Sequence, residues 1–116
     1  MSEQNDPVRS VRWEGRIAVI EVQGDIDLTT SKPFQESSLE VLARKPQRVV
    51  VDLTDVPYMD SSGIASLVKL LSRARRQDAG VVLACLNDRT RGLLEITRLD
   101  TVFEIRQTVE EALAQP

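Results

Sequence analysis

The sequence contains no histidine and a single cysteine. Those two shortages remove the commonest general base and the commonest metal ligands together, and no Cys/His metal cluster can be assembled from what is left. Cys85 cannot pair within the chain. Set among Val81, Val82, Leu83, Ala84 and Leu86, it is expected to be a buried structural thiol in a reducing compartment. A basic excess is missing too: 15 Lys and Arg stand against 18 Asp and Glu, a net charge of -3. A protein that tracks a phosphate backbone carries the opposite balance, so nucleic acid is not an expected partner. No stretch approaches the roughly 18 consecutive apolar residues of a membrane span, and residues 1–7 are polar and acidic, without an apolar signal core. The expectation is a cytoplasmic protein with no membrane partner and no cofactor, one domain over residues 1–116 whose first seven residues are a flexible start.

What is present suffices for a single core, because 41% of 116 residues are hydrophobic. Residues 8–13 alternate loosely, Glu14-Gly15 signals a turn, and residues 17–22 are β-branched, which together predict a hairpin. After Gly24-Asp25-Ile26-Asp27, Thr30 or Ser31 with Pro33 predicts a helix start, and the helix should run to about Arg44, before Pro46. Residues 48–53 form a short continuous β-branched run, as in a central parallel strand covered on both faces. From Ser61 to about Gln77, Ile64, Leu67, Val68, Leu71 and Ala74 recur at helical spacing. Residues 81–86 repeat the buried-strand signature. Asn87 or Asp88 then caps a third helix, residues 102–105 give a brief strand, and residues 108–113 a last helix with acidic residues early. The predicted order is β-β-α-β-α-β-α-β-α, an α/β domain with a mixed, mostly parallel sheet of about five strands packed with about four helices.

The informative stretch is Tyr58-Met59-Asp60-Ser61-Ser62-Gly63, where a buried strand hands over to the strongest helix. In one reading Asp60 or Ser61 is only an N-cap, worth about 1 kcal/mol. In the other, a hydroxyl at a helix start, beyond the carboxyl end of a central strand, sits where open α/β sheets place ligands and where an anion is favoured. Gly63 would add room for a close approach by another backbone or a phosphate donor. A metal cage from Asp25, Asp27, Asp52, Asp55 and Asp60 is less expected, since most of these lie at turns and caps where Asp is at home.

Gly24-Asp25-Ile26-Asp27, Val51-Asp52-Leu53 with Met59-Asp60-Ser61-Ser62-Gly63, and Leu94-Glu95-Ile96-Thr97-Arg98-Leu99 before Val102-Phe103 together resemble the anti-sigma factor antagonist family, the STAS domain of bacteria. The resemblance covers about residues 8–113. It implies a STAS-like fold and a phosphorylation-controlled switch in transcription regulation. The first serine of the Asp-Ser-Ser-Gly motif, Ser61, would be phosphorylated by a partner that is both anti-sigma factor and serine-protein kinase. The unphosphorylated form would bind that partner and release a sigma factor, and a PP2C-type phosphatase would reset the phosphorylated form. Asp27 is expected beside the acceptor, with Asp60, Ser62 and Gly63 as its chain neighbours. Asp25 stands where Glu is common in the family.

Gly63, Ser66, Leu70 and Arg73 fall on one ridge off the apolar stripe, so Ser66, Leu70 and Arg73, with Asp25, Tyr58 and Met59, are the expected docking residues. The same family resemblance permits a non-catalytic adaptor in a lipid-transport ABC system or a stressosome-like sensory complex, although an intact Ser61 favours the switch. An enzyme using Asp27 and Asp60, a phosphatase or nucleotide hydrolase, would lack a Gly-rich phosphate loop with Lys, and any histidine.

Overall fold

A continuous run of β-branched residues makes a stable strand only where both of its faces are covered, and this condition organises the molecule. In the computed structural model, which describes residues 6–114, Val49, Val50 and Val51 are all 0% exposed. They belong to β3 (Arg48–Asp55), the middle strand of five. β1 (Val8–Glu14) pairs antiparallel with β2 (Ile17–Gln23), and β2, β3, β4 (Gly80–Ala84) and β5 (Glu104–Arg106) are parallel. The sheet order is β1-β2-β3-β4-β5. Between the strands run α1 (Ser31–Leu42), α2 (Ser61–Arg76) and α3 (Asp88–Ile96), and α4 (Val109–Ala114) closes the chain. The predicted order and mixed sheet are those observed.

Alternate residues of β2, β3 and β4 feed two cores. Ala18, Ile20, Val22, Val49, Val51, Leu53, Val81 and Leu83 pack with residues of α1, α2 and α3, such as Phe34, Leu67, Leu70 and Leu94. On the other face Val19, Val50, Val82 and Ala84 pack with Ala112 of α4. Arg48 holds α4 there, its Nη1 donating to the Ala112 carbonyl at 3.2 Å. Over β1, Trp13 packs against the first core with the Arg44 guanidinium 5.2 Å from its ring centroid.

Some expectations are displaced. Asp6 and Pro7, placed in a flexible start, are tied down: the Pro7 carbonyl accepts from Gln23 N at 2.9 Å, and Asp6 accepts from Ser37 Oγ and Val8 N. The rest of that segment, residues 1–5, lies outside the described residues. α1 stops at Leu42 rather than 44, because Lys45 turns to a positive φ ahead of Pro46. The last strand begins at Glu104 rather than 102, because Arg98 turns left-handed and a single 3-10 turn, Leu99–Thr101, uses the intervening chain. Cys85 is half-buried rather than buried, at a φ of 65° where β4 ends.

The largest correction concerns α2. Leu70 is 1% exposed and Ser66 3%, whereas Val68, assigned to the apolar stripe, is 40% exposed. The sheet is not the helix's only neighbour. α1 lies along the same side, and Ser66 Oγ donates to the Ser31 carbonyl at 3.1 Å. Ser66 therefore faces α1 and Leu70 lies in the core beside it, so this ridge is not a docking face, although Arg73 is exposed. Leu70→Ala should cost about 2–5 kcal/mol in urea unfolding, and Val68→Ala should stay within about 0.5 kcal/mol of the parent.

Candidate functional site

Three loops leave the carboxyl ends of β2, β3 and β4, and their backbones are stitched together. Gly24, at a φ of 83° that side chains rarely adopt, turns the chain out of β2 and donates its N–H to the Asp55 carbonyl at 2.9 Å. Ile26 N donates to the Tyr58 carbonyl at 3.0 Å and Asp60 N to the Ile26 carbonyl at 3.1 Å, forming a parallel bridge between Ile26 and Met59. From the third loop, Asn87 Nδ2 donates to the Val56 and Pro57 carbonyls at 3.2 and 3.1 Å. Its Oδ1 caps α3 by accepting from Thr90 N at 2.8 Å.

On this platform Asp60, in an extended conformation, caps α2: its Oδ1 accepts from Ser62 N at 2.8 Å and Gly63 N at 3.4 Å. The plain capping role thus falls to Asp60 and leaves Ser61, the first helical residue, with its side chain exposed. Gly63 is buried against the bridge. A Cβ there would come within 2.5 Å of Met59 Cγ, 2.9 Å of Ile26 Cγ2 and 3.1 Å of the Ile26 carbonyl oxygen. Its missing side chain serves the protein's own packing, not the approach of a second molecule.

Ser61 lines an open hollow of about 480 Å³ with Tyr58, Met59, Asp60, Asp88, Arg89, Gly92, Leu93 and Ile96. Its walls are largely apolar. Ile96 is 83% exposed and Tyr58 38%, while Met59, an expected docking residue, is 2% exposed and forms only the base. Asp25 and Asp27 line a different, polar hollow with Arg9 and Asp55, where Arg9 Nη2 and Asp55 Oδ2 lie 2.9 Å apart. Asp27 organises its own loop: Oδ1 accepts from Thr29 Oγ1 at 2.8 Å, Thr29 N at 2.9 Å and Thr30 N at 3.3 Å. Those bonds, the Thr29 hydroxyl first, hold its carboxyl below the usual value of 3.8. The bridge brings this loop alongside Asp60, but the Asp27 side chain does not share the Ser61 hollow.

The sequence model of the STAS domain matches residues 9–112. The chain belongs to the STAS domain family. It is 39% identical over 91 residues to the anti-sigma-B factor antagonist of Listeria monocytogenes, covering 78% of this chain and 79% of that one. It is 29% identical over 97 residues to the anti-sigma-F factor antagonist RsfB of Mycobacterium tuberculosis, covering 84% and 79%. An anti-sigma factor antagonist from Mycobacterium paratuberculosis superposes with a TM-score of 0.83 at 25% identity, over 90% of this chain and 88% of that chain.

In this STAS domain Asp60, Ser61, Tyr58 and Met59 converge on one hollow, Asp25 and Asp27 line its neighbour, and Ser66 and Leu70 are buried. Sequence reasoning missed Asp88, Arg89, Leu93 and Ile96, which α3 contributes to the hollow. The one available signal was Arg89, a cation in the first turn of a helix, where the dipole disfavours it. Among the described residues no group of three or more His, Cys, Asp or Glu is placed to hold a metal ion, and no helix is long and apolar enough to cross a membrane. Burial raises the Cys85 thiol above its ordinary value of 9.0, so it is not an activated thiolate.

Gly63→Ala should destabilise by about 1–3 kcal/mol in urea unfolding, because Ile26 and Met59 must move. The depressed Asp27 carboxyl contributes stability that is complete above 3.8 and lost as pH falls through its folded value. The stability gap between the parent and Asp27→Asn should therefore narrow as acid titration proceeds below 3.8, and thermal melts across that range would measure it.

Proposed function

We propose that this STAS domain is an anti-sigma factor antagonist, a cytoplasmic, non-catalytic switch. It binds an anti-sigma factor that is also a serine kinase, so that a sigma factor is freed, and it is released when that kinase phosphorylates Ser61. The observation that carries the reading is an exposed serine at the start of α2, in the wall of a largely apolar hollow. The relatives named as antagonists support the partner class.

The chemistry asks little of this chain. Ser61 Oγ attacks the γ-phosphorus of a nucleoside triphosphate held by the kinase, the bond to the β-phosphate oxygen breaks, the hydroxyl proton passes to a base on the kinase, and the diphosphate leaves. What this protein supplies is presentation: Asp60 fixes the helix start, and Gly63 seats it on the bridge. The product carries about -1.5 to -2 charges in a hollow already bordered by Asp60 and Asp88. A partner whose apolar groups covered Tyr58, Leu93 and Ile96 would have to bury that charge, so affinity falls without refolding. A PP2C-type phosphatase would restore the neutral surface.

Incubation with the kinase and ATP should add one phosphate, and mass spectrometry should place it on Ser61. In calorimetry Ser61→Ala should bind the kinase as the parent does, and Ser61→Glu about tenfold or more weakly, a loss of about 1.4 kcal/mol. Phosphate on another residue, or equal affinity for both variants, would overturn the reading.

A further inference from the structure

We infer that Arg89 is the internal ligand of the phosphate on Ser61: the guanidinium leaves the Tyr58 ring and pairs with the dianion, so that phosphorylation rearranges the hollow as well as charging it. This inference rests on the proposal that Ser61 is the modified residue.

Arg89 and Ser61 line the same hollow from different helices. Arg89 occupies the first turn of α3, where the macrodipole disfavours a cation, so local helix energetics give no reason for it. Its side chain shows no hydrogen bond or ion pair among the described residues, and its guanidinium carbon lies 6.0 Å from the Tyr58 ring centroid. Asp60 and Asp88 line the hollow as well, yet neither forms an ion pair with it. The position of α3 is not loose, because Asn87 bonds the start of the helix to the loop that carries Tyr58. The only cation lining the hollow among the described residues is thus held at its rim by an exposed aromatic ring, a weak anchor. Charge-assisted, two-pronged bonds from a guanidinium to a phosphate are stronger and geometrically favoured.

Two consequences follow for the switch. Arg89 offsets part of the repulsion that a phosphate meets from Asp60 and Asp88, which lets the domain keep its fold when modified. Its departure also uncovers the Tyr58 ring, so a partner docked on the unmodified hollow loses an Arg89–Tyr58 surface at the moment it meets the new charge.

The test uses the full chain with phosphoserine installed at position 61 during synthesis, followed by phosphorus NMR through about pH 6, where a phosphomonoester gives up its second proton. The other titratable groups facing the phosphate are Asp60, Asp88 and Tyr58, and all are present in every sample. A paired guanidinium favours the dianion, so the parent should titrate about half a pH unit or more below Arg89→Gln. Arg89→Lys should retain part of the depression. The Tyr58 ring protons should shift on phosphorylation in the parent and not in Arg89→Gln. Arg89 is exposed, so the variants should melt with the parent. Coincident phosphate titrations in the parent and Arg89→Gln would overturn the inference, and the answer does not depend on whether any kinase acts on Ser61.

Discussion

The parallel contact between Ile26 and Met59 is the constraint on which the site depends. Two loops leaving adjacent parallel strands carry backbone donors and acceptors that no longer have a ladder to join, and burying them unpaired would be costly. The two bonds across the bridge satisfy Ile26 and Asp60 within the protein, and the side chains of Ile26 and Met59 go inward at 0% and 2% exposure. α2 can then begin directly above, because residue 63 has no Cβ to collide with either side chain. Without that contact there would be no fixed place for Asp60 to cap and no fixed direction for Ser61 to face.

A rigid platform that presents an exposed serine suits a switch that changes surface chemistry without refolding. The bonds that hold the helix start belong to the Asp60 carboxylate and the loop backbone, none of which a phosphate on Ser61 must break. Asn87 extends the platform to α3, and so brings apolar Leu93 and Ile96 and the guanidinium of Arg89 around the same hydroxyl. The Asp27 loop, with its self-contained set of bonds to Thr29 and Thr30, forms a second, polar hollow beside it. The two hollows offer contrasting chemistry to anything that docks across this edge of the sheet.

Local pattern and tertiary contact divided the information unevenly. The run around Val49 to Val51 announced a doubly covered strand because covering both faces removes the polar alternation. The Asp-Ser-Ser-Gly junction was legible as a helix start, because Asp and Ser are preferred caps, but local pattern alone did not separate a plain cap from a presented hydroxyl; Asp60 as the cap follows from extended geometry just ahead of the helix. The placement of Leu70 and Val68 was not legible, since both fit an amphipathic helix and only the position of α1 decides which edge of the stripe is covered. The role of Gly63 was misread for the same reason: a glycine permits close approach, but its sequence does not say by what.

By itself, then, the sequence determined the succession of strands and helices, the central place of β3 and the chemical character of the Asp-Ser-Ser-Gly junction, because period, turn residues and caps act over a few neighbouring positions. Only the tertiary structure decided that residues of α3, Asp88, Arg89, Leu93 and Ile96, line the hollow of Ser61 while Asp27 faces a separate one. Those neighbours lie some thirty positions from the serine and are brought to it by parallel strand pairing, a non-local interaction that leaves no periodic trace in the chain.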